Sequence, residues 1–185
     1  MGKLILITGG ARSGKSSLGE KLAKEAGQEV LYIATAIPFD EEMESRIKKH
    51  RETRPANWET VEAYKDLDMA LCDKINNKDA VLLDCITVMV SNLMLEKAMD
   101  WENISVAEID EAEARVMVEV NKLMNIAKKS ETLFILVTNE LGMGIVPTSK
   151  LGRAFRDIGG RVNQLLAKEA DEVYFCVSGI PMKIK

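Results

Sequence analysis

Basic residues are not in excess in this chain: 25 Lys and Arg stand against 29 Asp and Glu, a net charge of −4 over 185 residues. That balance argues against a general nucleic-acid binder, which carries a basic surplus or patch. Cysteine is scarce. Cys72, Cys85 and Cys176 are odd in number and form no C-x-x-C pair, so neither a disulfide framework nor a zinc site is expected. All three sit among apolar residues, which predicts small core side chains in a reducing cytoplasm. No apolar run approaches the length of a membrane span. The N-terminus leads directly into an apolar segment, which predicts no signal peptide. There is no internal repeat, low-complexity tract or linker, and the length predicts one domain over residues 1–185.

What is present alternates. Apolar runs at Leu4–Thr8, Glu29–Ala34, Ala80–Cys85, Thr132–Thr138 and Glu172–Ser178 predict strands buried on both faces. Between them, helical patterns cover Lys15–Ala26, Glu41–Glu52, Lys65–Ile75, Val88–Met99, Val106–Ser130 and Leu151–Glu169. Gly27 stands where a C′ glycine would end the first helix. Asp40 with Glu41 and Glu42 gives an N-cap and an acidic first turn. Ser105 and Glu108 form a capping-box pair. Strand–helix alternation predicts an α/β fold, a mostly parallel sheet with helices on both faces.

The densest chemistry lies at Gly9-Gly10-Ala11-Arg12-Ser13-Gly14-Lys15-Ser16, which matches G-x-x-x-x-G-K-[ST] directly after the first strand. Glycines let the loop turn, and its amides and the following helix N-terminus converge on one point suited to a polyphosphate. Lys15 is expected to reach the β/γ-phosphates and the Ser16 hydroxyl to ligate Mg²⁺. The fold expected is therefore a P-loop NTPase of the RecA-like kind. The strand Ala80–Leu83 ends in Asp84, placed to hold that Mg²⁺ directly or through water, or else to cap the next helix. A switch GTPase would show D-x-x-G and N-K-x-D. Here Asp84 is followed by Cys85-Ile86-Thr87, and Asn77-Lys78-Asp79 has the wrong spacing. A helicase or recombinase would be longer and more basic. A small-molecule kinase or nucleotidyl transferase remains.

His50 is the single histidine. Arg46, Lys48, Lys49, Arg51 and Arg54 surround it in sequence. Nearby cations disfavour imidazolium, which would keep His50 neutral and nucleophilic. On the residues alone the preferred reading is a surface histidine at a basic helix C-terminus, complementing the dipole.

Several blocks then occur in a definite order: Gly9–Ser16, Tyr32–Thr35, Arg46–Pro55, Leu83–Thr87, Val137–Pro147, Phe155–Gln164 and Val177–Ile180. Together they resemble, over essentially the whole chain, the bifunctional adenosylcobinamide kinase/adenosylcobinamide-phosphate guanylyltransferase family of cobalamin biosynthesis. The resemblance implies two reactions. ATP or GTP phosphorylates the aminopropanol hydroxyl of adenosylcobinamide. A histidine then attacks the α-phosphate of GTP, and the covalent GMP passes to adenosylcobinamide phosphate, giving adenosylcobinamide-GDP. It implies that His50 is the nucleophile and that Ala34, Thr35, Ala36, Arg51, Glu52, Thr53, Arg54, Glu62 and Asp84 contact GTP. It also implies a homotrimer with the histidine-bearing helix near a subunit interface. This chain departs from the family's His-His pair, since Lys49 precedes His50. The alternative is a P-loop small-molecule kinase without guanylyltransferase activity, His50 being a bystander.

Other residues are read with both roles open. Asn139–Gly144 follows a strand at its carboxyl end, where α/β sheets bind ligands, and its two glycines permit close approach of a bulky substrate. It equally reads as a connecting loop. Arg153, Arg156 and Arg161 either meet phosphate or a neighbour, or are solvated. Trp58 and Trp101 read as packing anchors.

Overall fold

The computed structural model describes residues 2–37 and 55–185. Seven strands form one sheet: β1 (Leu4–Gly9), β2 (Val30–Ala34), β3 (Glu59–Glu62), β4 (Ala80–Asp84), β5 (Leu133–Val137), β6 (Glu172–Val177) and β7 (Ile180–Lys183). Their order across the sheet is β3-β2-β4-β5-β1-β6-β7. Every pairing is parallel except β6 with β7. The helices are α1 (Lys15–Ala26), α2 (Leu67–Leu71), α3 (Ile86–Leu95), α4 (Val106–Lys129) and α5 (Lys150–Glu169). The RecA-like α/β class expected from the sequence is therefore observed.

Successive strand residues serve opposite layers, as the pleat dictates. Leu4, Leu6, Leu31, Ile33, Val81, Leu83, Phe134 and Leu136 face a core shared with α2, α3, α4 and α5. Ile5, Ile7, Tyr32, Leu82, Ile135 and Val137 face the other side, where Leu18, Leu22 and Ala23 of α1 pack. Burial on both faces explains why these strands are continuous apolar runs. Gly19 lets α1 lie close: a Cβ there would stand 3.0 Å from Leu82 Cδ1. Trp58 is buried and stacks on Tyr32 with ring centroids 6.5 Å apart. Trp101 packs against the larger core, so both tryptophans anchor packing.

The capping box forms as expected: Glu108 N–H donates to Ser105 Oγ at 3.3 Å and Ser105 N–H to Glu108 Oε2 at 2.9 Å. Two expectations need correction. Gly27 is not a left-handed cap, because its φ of 161° is extended backbone. It is needed for room, since a Cβ would fall 2.0 Å from Asp79 Oδ2, the atom that accepts from Glu29 N–H at 2.9 Å. Cys72 is exposed rather than part of the core, whereas Cys85 is half-buried and Cys176 buried. The helix expected over Glu41–Glu52, with its Asp40 cap, lies outside the described residues.

Candidate nucleotide and transfer site

The carboxyl ends of the parallel strands form one edge. Ala34 is in register with Glu62 on one side and with Asp84 on the other. Asp84 pairs with Val137, which pairs with Ile7. The expected contacts Ala34, Glu62 and Asp84 thus stand in a row along the edge from which the β1–α1 loop also emerges.

That loop is shaped by close approach. Gly9 has φ 151°, and a Cβ there would meet Cys176 O of β6 at 2.4 Å. Gly14 is left-handed at φ 92°, and a Cβ would stand 3.1 Å from Gly179 Cα. Gly179 N–H donates to Ser13 O at 3.0 Å, so the β6–β7 turn braces the loop. Arg12 is left-handed as well, at φ 55°. Gly10 and Ala11 are exposed. Helix α1 starts at Lys15 with no side-chain cap and no acidic residue in its first turn. Its first amides therefore suit an anion.

Lys15 is buried at 7% exposure. Its Nζ donates to Gly10 O at 2.6 Å and approaches Ser13 Oγ at 3.5 Å. Burial pushes its pKa down, while Cys85, Asp84 and Cys176 oppose that by Coulomb attraction. Lys15 and Asp84 are therefore electrostatic neighbours across the interposed strand β5. Burial, with Asp84 adding, raises the Cys85 thiol to about 12, so Cys85 is an inert packing group.

Thr35 turns inward at 1% exposure. Its hydroxyl donates to Cys85 O at 2.8 Å and accepts from Cys85 N–H at 3.0 Å, clamping the end of β2 to that of β4. Asn92 of α3 donates to Thr35 O at 2.7 Å. Ala36 is half-buried beyond it. Ser16, half-buried in the first turn of α1, and Asp84 offer a hydroxyl and a carboxylate. Hard oxygen donors of this kind, with phosphate oxygens and water, suit Mg²⁺. Among the described residues no cluster of three His, Cys, Asp or Glu could hold a metal unaided. His50, Arg51, Glu52, Thr53 and Arg54 lie outside the described residues.

The segment after β5 is tied to this site. Glu140 N–H donates to Gly9 O at 3.0 Å, and Glu140 Oε1 accepts from Gly142 N–H at 2.6 Å. Beyond it Met143, Ile145 and Val146 are exposed. Of the arginines on α5, Arg153 donates to Pro147 O at 3.1 Å and Thr148 O at 2.5 Å. Arg156 pairs with Asp157, and Arg161 with Glu113. Sequence reasoning passed over Thr87, Thr138, Asn163 and Gly179 as individual residues. Only their membership in the ordered blocks marked them, because a polar side chain bonded to a loop has no local signature.

The model of a family described as cobinamide kinase / cobinamide phosphate guanyltransferase matches residues 5–184. The chain is 47% identical over 182 residues to the bifunctional adenosylcobalamin biosynthesis protein CobU of Escherichia coli K12, covering 98% of this chain and 99% of that one. It is 48% identical over 184 residues to the protein of the same name from Salmonella typhimurium, with the same coverage. The corresponding Pseudomonas aeruginosa protein, named CobP, is 39% identical over 184 residues, covering 97% and 96%.

Proposed function

This chain belongs to the cobinamide kinase / cobinamide phosphate guanyltransferase family, and from that premise we propose that it carries out both reactions at the edge just described. The observation that carries the reading is the P-loop with a buried Lys15 within the electrostatic reach of Asp84, in a chain related to bifunctional proteins over nearly its full length.

In the kinase step the aminopropanol hydroxyl oxygen of adenosylcobinamide attacks the γ-phosphorus of ATP or GTP. The bond to the bridging oxygen breaks, a nucleoside diphosphate leaves, and the hydroxyl proton is lost. The loop amides of Gly10–Ser16 and the α1 N-terminus hold the phosphates, and Lys15 neutralises charge that builds on them. In the second step neutral His50 attacks the α-phosphorus of GTP and pyrophosphate leaves. The phosphate of adenosylcobinamide phosphate then displaces the imidazole and takes GMP. Splitting one transfer into two through a covalent intermediate is nucleophilic catalysis. Ser16 and Asp84 would hold Mg²⁺, which when bound offsets charge on the phosphates. Ala34–Ala36, Arg51–Arg54 and Glu62 are assigned to GTP, and the glycine-bearing Asn139–Gly144 segment to the bulky acceptor. The working form is a homotrimer in the cytoplasm, on the strength of the family resemblance.

The test is incubation with Mg²⁺ and α-³²P GTP, followed by denaturing electrophoresis of wild type and His50→Ala. An acid-labile, alkali-stable label on wild type alone is expected. Absence of label on folded, GTP-binding wild type would overturn the guanylyl-transfer half and leave a kinase.

A further inference from the structure

Helix α5 touches the loop after β5 along one face, at positions spaced seven and four apart. At the root, Asn163 Nδ2 donates to Asn139 O at 2.9 Å, and Asn163 Oδ1 accepts from the Thr138 hydroxyl at 2.7 Å. One turn back, Gly159 makes room for Leu141: a Cβ there would stand 2.9 Å from Leu141 Cδ1. Two turns further, Gly152 receives Pro147, where a Cβ would meet Pro147 Cβ at 2.7 Å. Arg153 holds the carbonyls of Pro147 and Thr148. The loop is therefore gripped at its beginning and its end, while Met143, Ile145 and Val146 between them stay exposed.

The first turn of α3 completes the grip. Asn139 N–H donates to the Thr87 hydroxyl at 2.6 Å, and the Thr87 and Thr138 hydroxyls lie 3.2 Å apart. Both threonines are buried, at 8% and 1% exposure. The seam around them, lined also by Val90, Leu141 and Phe155, leaves no room for water. Four polar groups thus satisfy one another where solvent cannot substitute, so losing one leaves its partners unpaired. Directly beyond the seam, Glu140 N–H is seated on Gly9 O of the P-loop.

We propose that Asn163 and Thr87 are positioning residues for the acceptor: they lock Asn139 so that the Glu140–Val146 loop stands at a fixed place beside the P-loop. The inference rests on the assignment of that loop to the acceptor. The hydrogen bonds of both side chains go to Thr138 and Asn139. The asparagine is required because one side must accept from Thr138 while the other donates to a carbonyl, which aspartate cannot do. Displacing a substrate-positioning loop by about an ångström costs up to roughly a hundredfold.

The experiment compares wild type, Asn163→Asp, Thr87→Val and the double variant. It measures kcat and KM for adenosylcobinamide in the kinase reaction, Kd for GTP, and labelling of the protein by α-³²P GTP. Each single variant is expected to lose roughly tenfold or more in kcat/KM for the acceptor. GTP affinity and protein labelling should stay within about twofold, and the double variant should lose less than the product of the single losses, since both act through one loop. Thr87→Val nearly conserves volume and serves as the second variant should Asn163→Asp fail to fold. Unchanged acceptor kinetics in a folded variant overturns the proposal. So does a loss shared equally by acceptor kcat/KM, GTP affinity and labelling, which marks a general structural role. Wild type that turns over no adenosylcobinamide overturns the function reading itself, a distinguishable result.

Discussion

Lys15 is an ammonium group held where water is largely excluded, with the Gly10 carbonyl and Ser13 hydroxyl as hydrogen-bond partners. Burial lowers its pKa. The unfolded chain therefore binds this proton more tightly than the native one, and stability rises with pH between the folded value and the unfolded value of about 10.4. Below the folded value the burial cost is present in full. Lys15→Met is accordingly expected to raise the melting temperature of nucleotide-free protein while abolishing its rise with Mg²⁺ and GTP. A thermal scan checks both. A variant that melts well below wild type without nucleotide would show that the two hydrogen bonds outweigh the burial cost. The chemistry of Gly9, Gly14, Lys15 and Ser16 was legible in the sequence because a phosphate loop needs those residue types at that spacing. The lock made by Thr87, Thr138 and Asn163 was not, since its members are 51 and 25 residues apart and each alone is an ordinary polar residue.

Elements buried on both sides were legible, and edges were not. Strand β3, Glu59-Thr60-Val61-Glu62, alternates half-buried and exposed residues with one apolar side chain, so no apolar run announces it. Strand β7, Ile180-Pro181-Met182-Lys183, is exposed throughout, and its proline reads as punctuation although an edge strand tolerates it. Tertiary contacts moved helix ends too. The helix expected from Lys65 begins at Leu67, because Asp66 is left-handed and its N–H is taken by Glu119 Oε2 of α4 at 2.6 Å. The helix expected from Val88 begins at Ile86 and stops at Leu95. A carboxylate adds to the β1–β6 ladder in holding the β6–β7 hairpin to the start of the chain: Glu172 pairs with Lys3 and Lys183 and accepts from the Tyr174 hydroxyl at 2.8 Å. These partners, Lys3 foremost, lower its pKa to about 2. A depressed carboxylate contributes stability above its unfolded pKa of about 4.3 and loses it as pH falls through the folded value. Glu172→Gln is therefore expected to melt lower than wild type at pH 7, with the gap closing between about pH 4.3 and pH 2. A gap that persists unchanged at pH 2 would exclude the ionic origin.

At the scale of the molecule, nucleotide and metal should act as one ligand. Binding at a hundred times Kd adds about 2.7 kcal/mol, or roughly 5–10 °C for a chain of this size. Most of that gain is expected to vanish with a chelator, and Asp84→Asn in the presence of Mg²⁺ should behave like chelated wild type. Full stabilisation of Asp84→Asn by Mg²⁺ and GTP would remove Asp84 from the metal. The brace between Gly179 and the P-loop has a further consequence in time. Strand β1 is made first, yet both its neighbours, β5 and β6, and the turn that supports Ser13 come from the last third of the chain. During synthesis the phosphate loop leaves the ribosome without its sheet partners and stays incomplete until the β6–β7 hairpin emerges. A chain cut before β6 is thus expected to lack both a sheet partner of β1 and the brace on Ser13, and to bind nucleotide poorly.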